Sequence, residues 1–420
     1  MSAFNRTLAI EAIKKKLIGK KLNYDEVFSI MDEISHKKLG DVLTTYFAAA
    51  SFSEGFDNEE LYYLTKAMVE TGKKLTFKGL VADKHSTGGV AGTRTTMIIV
   101  PIVAATGIKI PKNSSRAITA PSGTADTMEV VAPVVFTVSQ MRRIVDKVGG
   151  CIVWGGRLGL APADDLIIQV EEPLAFESFD KLIVSIMAKK IATGSTHVIF
   201  DIPVGPNMKI HHLKDAELIA RKFGYLAKRF GIKLAVDIND TQQPAGRGVG
   251  PVLEVRDVFQ VLEQTKDRPL KLENKALRLT AKLLDLCFAD MKSRYKPGMG
   301  EMVAKEMLTS GKALAKMREI IKAQGGDPDC CHDSLSPGKH KFELKSRAKG
   351  RVTHINNHDV SVIARILGSP HDRGAGIYLE RKLEDDVDKG DILCMLFSED
   401  QWRLKEAIET LQHLPIYKVE

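Results

Sequence analysis

The stretch that decides the fold is GLVADKHSTGGV, Gly79 to Val90. A short apolar run is followed at once by a lysine, a histidine, hydroxyl residues and paired glycines. The run reads as a buried strand, and the polar segment as a loop at its carboxyl end. A helix is expected to start near Arg94, in AGTRTTMIIVPIVAATG. In open α/β sheets, ligands sit beyond the carboxyl ends of strands. Helix N-termini there present unpaired N–H groups and a partial positive charge. Gly88 and Gly89 would let the backbone approach a ligand closely. Lys84 supplies charge, and Ser86 and Thr95 supply donors. The plain alternative is a tight turn that needs glycine. The segment is neither G-x-x-x-x-G-K-[ST] nor G-x-G-x-x-G, so neither a triphosphate loop nor a dinucleotide fingerprint is present.

A second segment weighs against the plain turn. KNSSRAITAPSGTAD, Lys112 to Asp126, also follows a strand-like run, GIKIP, and carries Ser114, Ser115, Arg116, Thr119, Ser122, Gly123 and Thr124. Two donor-rich loops after two neighbouring strands could converge on one polyanion, and a phosphate site is expected there.

Outward from these loops, short apolar runs alternate with helical stretches: MRRIVDKVGG, CIVWGG, HVIFDIPVG, LIARKFGYLAKRFG, KLAVDI. Such alternation predicts an α/β domain with a mostly parallel sheet. The first seventy residues read as helices. Val27, Ile30, Met31 and Ile34 form one stripe of helical period, and Asn23 with Glu26 forms an Asn variant of the capping box. Asp41 and Asn58 are candidate caps, and Gly72 a candidate stop. A long helix over about Phe179–Thr193 interrupts the alternation and could join the N-terminal helices. Helices are expected from Val252 to about Gln324, then a polar linker, GGDPDCCHDSLSPGKH. The end is read as short β pieces, FELKSRAKGRVTHI, VSVIARI, GIYLERKL and DILCMLF, with a helix near its end. The expected domains are residues 1–75 plus about 163–194 (helical), 76–162 with 195–325 (α/β), and 340–420 (C-terminal, β-rich α+β).

Composition narrows the class. The 420 residues are 44% hydrophobic and 27% charged, as in an ordinary soluble globular protein. No apolar run approaches a membrane span, and the N-terminus has no signal-peptide core, so a cytoplasmic protein with no membrane partner is expected. The net charge of +8 suits anionic substrates. Lysines are scattered and aromatics make up 6%, so no nucleic-acid partner is expected. Five cysteines argue for free thiols. CCHD, Cys330–Asp333, lacks paired-ligand spacing and reads as a solvated loop, so no metal is expected.

DKHSTGGV together with Ser114, Arg116 and Thr124 resembles the thymidine and pyrimidine nucleoside phosphorylases, as do SIMAKKIATG (Ser185–Gly194) and the closing β region. SSRAITAPSGTADTMEV, CIVWGG, LAPADD, DIPVG and GRGVGPVLEVRD are similar to the branch that holds archaeal AMP phosphorylases and bacterial type 2 thymidine phosphorylases. The resemblance covers essentially the whole chain. It implies a helical domain, an α/β domain with a cleft between them, a C-terminal domain, and a homodimer or larger homo-oligomer. The AMP branch carries an additional N-terminal domain, which this chain is expected to lack.

The reaction so implied is phosphorolysis: inorganic phosphate, a co-substrate, attacks C1′ of the ribose and the base leaves. No cofactor is implied. Lys84, Ser86, Thr95, Ser114 and Thr124 would grip phosphate, with backbone from Gly88 and Gly89. Ser115, Arg116, Ala117, Ile118, Thr119 and Ala120 would line the nucleotide site, and Lys209 in VGPNMKI matches a nucleotide-binding lysine. Ser185 and Lys189, four apart, share a helix face and would touch the base; without the resemblance they read as a solvated face. The proton donor is expected to be Glu177, which stands where the AMP branch has an aspartate, or His85, since histidine titrates near neutrality. By themselves, Glu177 reads as first-turn decoration and His85 as a loop orienter. Gln169, in LIIQV, stands where relatives carry an arginine near the base. It can donate and accept but brings no positive charge.

The leading expectation is phosphorolysis of a nucleoside 5′-monophosphate (AMP, CMP or UMP) to base and ribose 1,5-bisphosphate. The alternative is a nucleoside phosphorylase giving ribose 1-phosphate or its deoxy form. More distant are a Mg²⁺-dependent phosphoribosyltransferase, with Asp164 and Asp165 as the tempting carboxylates, and a non-catalytic nucleotide sensor. Cleft closure is expected, with Gly155, Gly156 and Gly194 as hinges.

Overall fold

The computed structural model describes residues 2–117, 120–171, 178–291 and 295–420. Four helices open the chain: α1 (Ser2–Leu17), α2 (Tyr24–Ser35), α3 (Asp41–Glu54) and α4 (Asn58–Glu70). Asn23 and Glu26 form the expected capping box of α2. Two starts differ from expectation by one residue. Asp57 caps α4 with Glu60, and Gly40 precedes α3. A capping side chain must sit just outside the first turn to reach the N3 amide, and Asn58 and Asp41 are already helical. Thr71, one residue before Gly72, ends α4.

The middle of the chain alternates as expected. It runs β1 (Ala82–Ser86), α5 (Thr96–Ala105), β2 (Ile110–Ser114), α6 (Thr124–Met128), α7 (Val138–Val148), β3 (Gly150–Trp154), α8 (Pro162–Glu171) and α9 (Phe179–Ala192). It continues with β4 (His197–Val204), α10 (Leu213–Arg229), β5 (Lys233–Asp240) and β6 (Gly248–Val249). The helices α11 (Pro251–Leu262), α12 (Leu270–Phe288), α13 (Gly300–Thr309) and α14 (Lys312–Ala323) follow. β1, β4 and β5 pair in the order β1-β4-β5, and β2 pairs with β3 in parallel. α5 is buried on every side from Thr96 to Ala104 and packs on α12, α13, α14 and β3, which its all-round apolar sequence demands.

The last part holds β7 (His340–Lys345), β8 (Gly350–Ile355), α15 (Asn357–Ile366), β9 (Gly376–Leu379), β10 (Asp386–Val387), β11 (Ile392–Ser398), α16 (Gln401–Thr410) and β12 (Tyr417–Val419). Its sheets are β6-β9-β11-β7 and β10-β8-β12. VSVIARI, expected as a β piece, is the body of α15. Asn356 caps it by accepting from His358 and Asp359 N–H, and Val360, Ile363, Ala364 and Leu367 bury one helical stripe in the C-terminal core. The β-branched residues suggested a strand, but the cap and burial stripe prevail over weak local propensity.

The chain forms two compact units. The first comprises residues 1–83, 155–198 and 217–234, and the second residues 84–154, 199–216 and 235–420. The boundaries fall within β1, β4, α10 and β5 and next to Gly155. Within the first unit α9 packs on α4. Its fully buried Lys190 pairs with Asp83 at 2.7 Å, and Ser195 also donates to that carboxylate. All five cysteines are free thiols. Among the described residues, no helix is long and apolar enough to cross a membrane.

Candidate active site

The second unit brings the two donor-rich loops together. Lys84 and His85 lie in β1, and the loop proper begins at Thr87, whose N–H donates to the Asp201 carbonyl on β4. Ser86 Oγ accepts from Gly88 N–H at 3.3 Å. Gly88 and Gly89 have φ of 84° and 82°, a region that side chains strain to enter. α5 starts two residues after Arg94, and Thr95 is its N-cap residue. Thr95 is fully buried, and its Oγ1 has no hydrogen-bond partner among the described residues; the same holds for Thr87 Oγ1. A buried hydroxyl without a partner costs about 1–3 kcal/mol, which a bound acceptor would recover.

Lys84 is buried, its Nζ 3.7 Å from an Asp201 carboxylate oxygen. Lys275 approaches the other oxygen at 3.2 Å, and Asn239 donates to it at 2.9 Å. Burial would raise Asp201, but Lys275 and Lys84 outweigh it and hold the carboxyl below its usual range. Burial pushes Lys84 down to about 8; Asp201 limits the fall, and Lys275 and Arg94 add to it. Desolvation and like-charge repulsion thus push Lys84 toward its neutral form, and Asp201 keeps part of its charge.

Arg94 joins the loops. Its field acts on Lys84, its Nη1 donates to Thr124 Oγ1 at 3.2 Å, and its Nη2 donates to the Ser122 carbonyl at 2.7 Å. Its Nε donates to Glu254, a buried carboxyl on α11. Sequence reasoning assigned Arg94 no role. An arginine in a run of threonines gives no local sign that a carboxylate 160 positions later will orient it.

Asp126 organises the second loop. It accepts from Ala117 N–H at 2.7 Å, from Gly123 N–H at 2.9 Å, and from Arg116 at 2.9 Å. Arg116 also forks onto Glu129 at 2.7 and 2.9 Å and lies over the Trp154 ring. The guanidinium expected to face nucleotide therefore spends most of its charge shaping the loop. Ser114 ends β2 half-buried, Ser115 is exposed and accepts from Ala125 N–H through its carbonyl, and Ala120 is half-buried. Ile118 and Thr119 lie outside the described residues.

Lys209 joins the first loop through packing. A Cβ placed on Gly89 would meet Lys209 Cβ at 3.0 Å, so only glycine lets the two segments approach this closely. Burial pushes the Lys209 amine down to about 8. His85 sets its ring edge-on to Phe200, with centroids 6.2 Å apart.

Ser185, Lys189 and Gln169 lie in the first unit. Ser185 and Lys189 do share one face of α9 and converge on Asp164 of α8. Ser185 Oγ donates to that carboxylate at 2.8 Å, and Lys189 Nζ stands 2.6 Å from it. Burial pushes Asp165 up to about 6, with Lys189 opposing and Asp164 reinforcing. Gln169 is exposed on α8. Glu177 lies outside the described residues. Among the described residues, no group of three or more His, Cys, Asp or Glu side chains is placed to hold a metal ion.

The chain is similar to known proteins along nearly its whole length. It is 42% identical to AMP phosphorylase of Pyrococcus furiosus over 413 residues, covering 98% of this chain and 81% of that one. It is 40% identical to AMP phosphorylase 1 of Archaeoglobus fulgidus over 402 residues, covering 96% and 78%. It is 42% identical to a Methylococcus capsulatus protein named "Putative thymidine phosphorylase" over 393 residues, covering 93% and 74%. Its fold resembles the crystal structure of anthranilate phosphoribosyltransferase from Thermus thermophilus. The TM-score is 0.61 at 16% identity, over 74% of this chain and 99% of that one. Residues 10–72 match the glycosyl transferase family helical bundle domain, and residues 351–417 the pyrimidine nucleoside phosphorylase C-terminal domain. Residues 78–314 match the glycosyl transferase family a/b domain, and the chain belongs to that family of glycosyl transferases.

Proposed function

We propose that the protein cleaves the N-glycosidic bond of a nucleoside 5′-monophosphate with inorganic phosphate, releasing the free base and ribose 1,5-bisphosphate. The observation that carries this is the shared ionic cluster of the two loops. Arg94 acts on Lys84 and donates to Thr124, its neighbour Thr95 carries an unpartnered hydroxyl, and Lys209 packs on Gly89 of the first loop. The names of the archaeal relatives support the same reaction.

In this mechanism phosphate is oriented by Lys84, Ser86, Thr95, Ser114 and Thr124 and by the backbone of Gly88 and Gly89. A phosphate oxygen forms the bond to C1′ as the C1′–N bond breaks, and the electron pair leaves with the base. Positioning and charge supply most of the acceleration. The phosphate oxyanion stabilises the oxocarbenium-like sugar. The base takes a proton from Glu177 or His85. Ser185, Lys189 and Gln169 read the base, and Lys209 with residues 115–120 holds the nucleotide. No cofactor or metal takes part. The working form is a cytoplasmic homodimer or larger homo-oligomer, which light scattering on the purified protein would check.

The test is direct. The protein is mixed with phosphate and AMP, CMP, UMP, thymidine or uridine, and released base is measured. AMP, CMP or UMP should yield base. Base only from thymidine or uridine would favour a nucleoside phosphorylase, the activity in the name of the Methylococcus relative. No base from any of the five defeats the proposal.

A further inference from the structure

The C-terminal region carries none of the site residues named above, yet α15 and the residues beside it grip three of the site's loops. Asn357, the first residue of α15 and buried, spans the glycine loop: its Oδ1 accepts from Ala91 N–H at 3.0 Å, and its Nδ2 donates to the Gly89 carbonyl at 2.7 Å. The same Nδ2 donates to the Asn207 carbonyl at 3.3 Å, two residues before Lys209. His354 Nε2 lies 3.0 Å from the Asn207 side-chain amide. Past the other end of α15, buried Ser369 donates to the Pro121 carbonyl at 3.0 Å, and Arg365 in the helix's last turn reaches the Ala120 carbonyl at 3.4 Å. Ala91 itself belongs to the C-terminal core.

We infer that Asn357 is a positioning residue for phosphate, fixing the Gly88–Gly89 backbone and the Lys209 segment in register. This rests on the phosphate reading of the site. The chemistry at position 357 is narrow. The amide oxygen meets one N–H, and the amide nitrogen donates to two carbonyls, so both ends of the side chain are engaged. Aspartate would set oxygen against both carbonyls. An apolar residue would leave buried backbone groups unpaired. The clamp also falls where it matters most. Gly88, Gly89 and Gly92 all have positive φ, and glycine backbone has the most freedom to lose on ordering. A loop held in place before phosphate arrives spends less binding energy on its own ordering.

The test uses the full chain and inorganic phosphate. Calorimetric titration gives the phosphate dissociation constant of wild type, N357D and N357S. Amide hydrogen exchange follows residues 88–93 in each. N357D should weaken phosphate binding tenfold or more and N357S several-fold. Exchange at Ala91 should rise while the melting temperature stays above that of the assay. Where turnover is measured, KM for phosphate and, through the Lys209 segment, KM for nucleotide should rise while kcat stays close to that of wild type, a split that general destabilisation would not produce. A folded variant with wild-type phosphate affinity overturns the inference. If N357D does not fold, N357S with unchanged affinity and unchanged exchange at Ala91 overturns it as well. A wild type that binds no phosphate defeats the reading of the site itself, and the inference with it.

Discussion

An anion gripped by Lys84 should be released as that lysine loses its proton. Burial pushes the amine down to about 8, so the group titrates in an accessible range. Sulfate is the useful probe because it keeps its charge across that range, unlike phosphate. With an amine pKa near 8, the protonated fraction is about three quarters at pH 7.5 and about one tenth at pH 9, so sulfate affinity should fall about eightfold. Lys209 is also pushed down to about 8. If both amines touch the anion, the two losses multiply to about seventyfold. Loss of the fold would not mimic this. Both amines titrate lower folded than unfolded, so between about pH 8 and the ordinary lysine value the unfolded chain binds more protons. Their contribution to stability therefore rises with pH. Isothermal titration with sulfate at pH 7.5, 8.25 and 9 measures the slope. K84R should flatten it by its share, because guanidinium stays charged. A wild-type affinity constant from pH 7.5 to 9 would refute the placement of Lys84 on the anion.

Further outcomes follow from other contacts. D126N should loosen the second loop, since three donors lose their charged acceptor. A cost of about 2–3 kcal/mol in urea unfolding is expected, with a raised KM for nucleotide. K190M removes the lysine that pairs with the fully buried Asp83. It should cost about 3–5 kcal/mol, read by the same unfolding experiment. G89A and G88A both force a side chain to positive φ, at roughly 1–2 kcal/mol each, but only the Cβ at position 89 meets Lys209. G89A should therefore raise KM for nucleotide more than G88A, in a steady-state comparison of the two. K189A removes the cationic partner of Asp164 on α9 and should raise KM for nucleotide with little change in KM for phosphate, in steady-state assays of base release.

What the sequence determined by itself was local and periodic. The repeated strand–helix alternation and the Asn23–Glu26 box depend on neighbours within a few positions, and both appear in the fold, whereas the strand expected at the apolar run Gly79–Ala82 falls instead on Ala82–Ser86, where Lys84 and Asp83 find partners on neighbouring elements. Ser185 and Lys189 share a face because a helix turns once every 3.6 residues. The glycines announced backbone conformations that side chains avoid, and Gly88 and Gly89 adopt them. Tertiary structure decided the rest. Arg94 became the joint between the loops through Glu254, Asp201 came to face Lys84 and Lys275, and Asn357 came to span a loop 266 positions earlier in the chain. α15 was misread as strand because its β-branched residues speak only to local preference, whereas burial of one helical stripe settled its form. The physical reason is common to these cases. Backbone preference and amphipathic period are written into adjacent residues, but a charge or an amide acquires its role from the partner that folding places beside it, and that partner can lie anywhere along the chain.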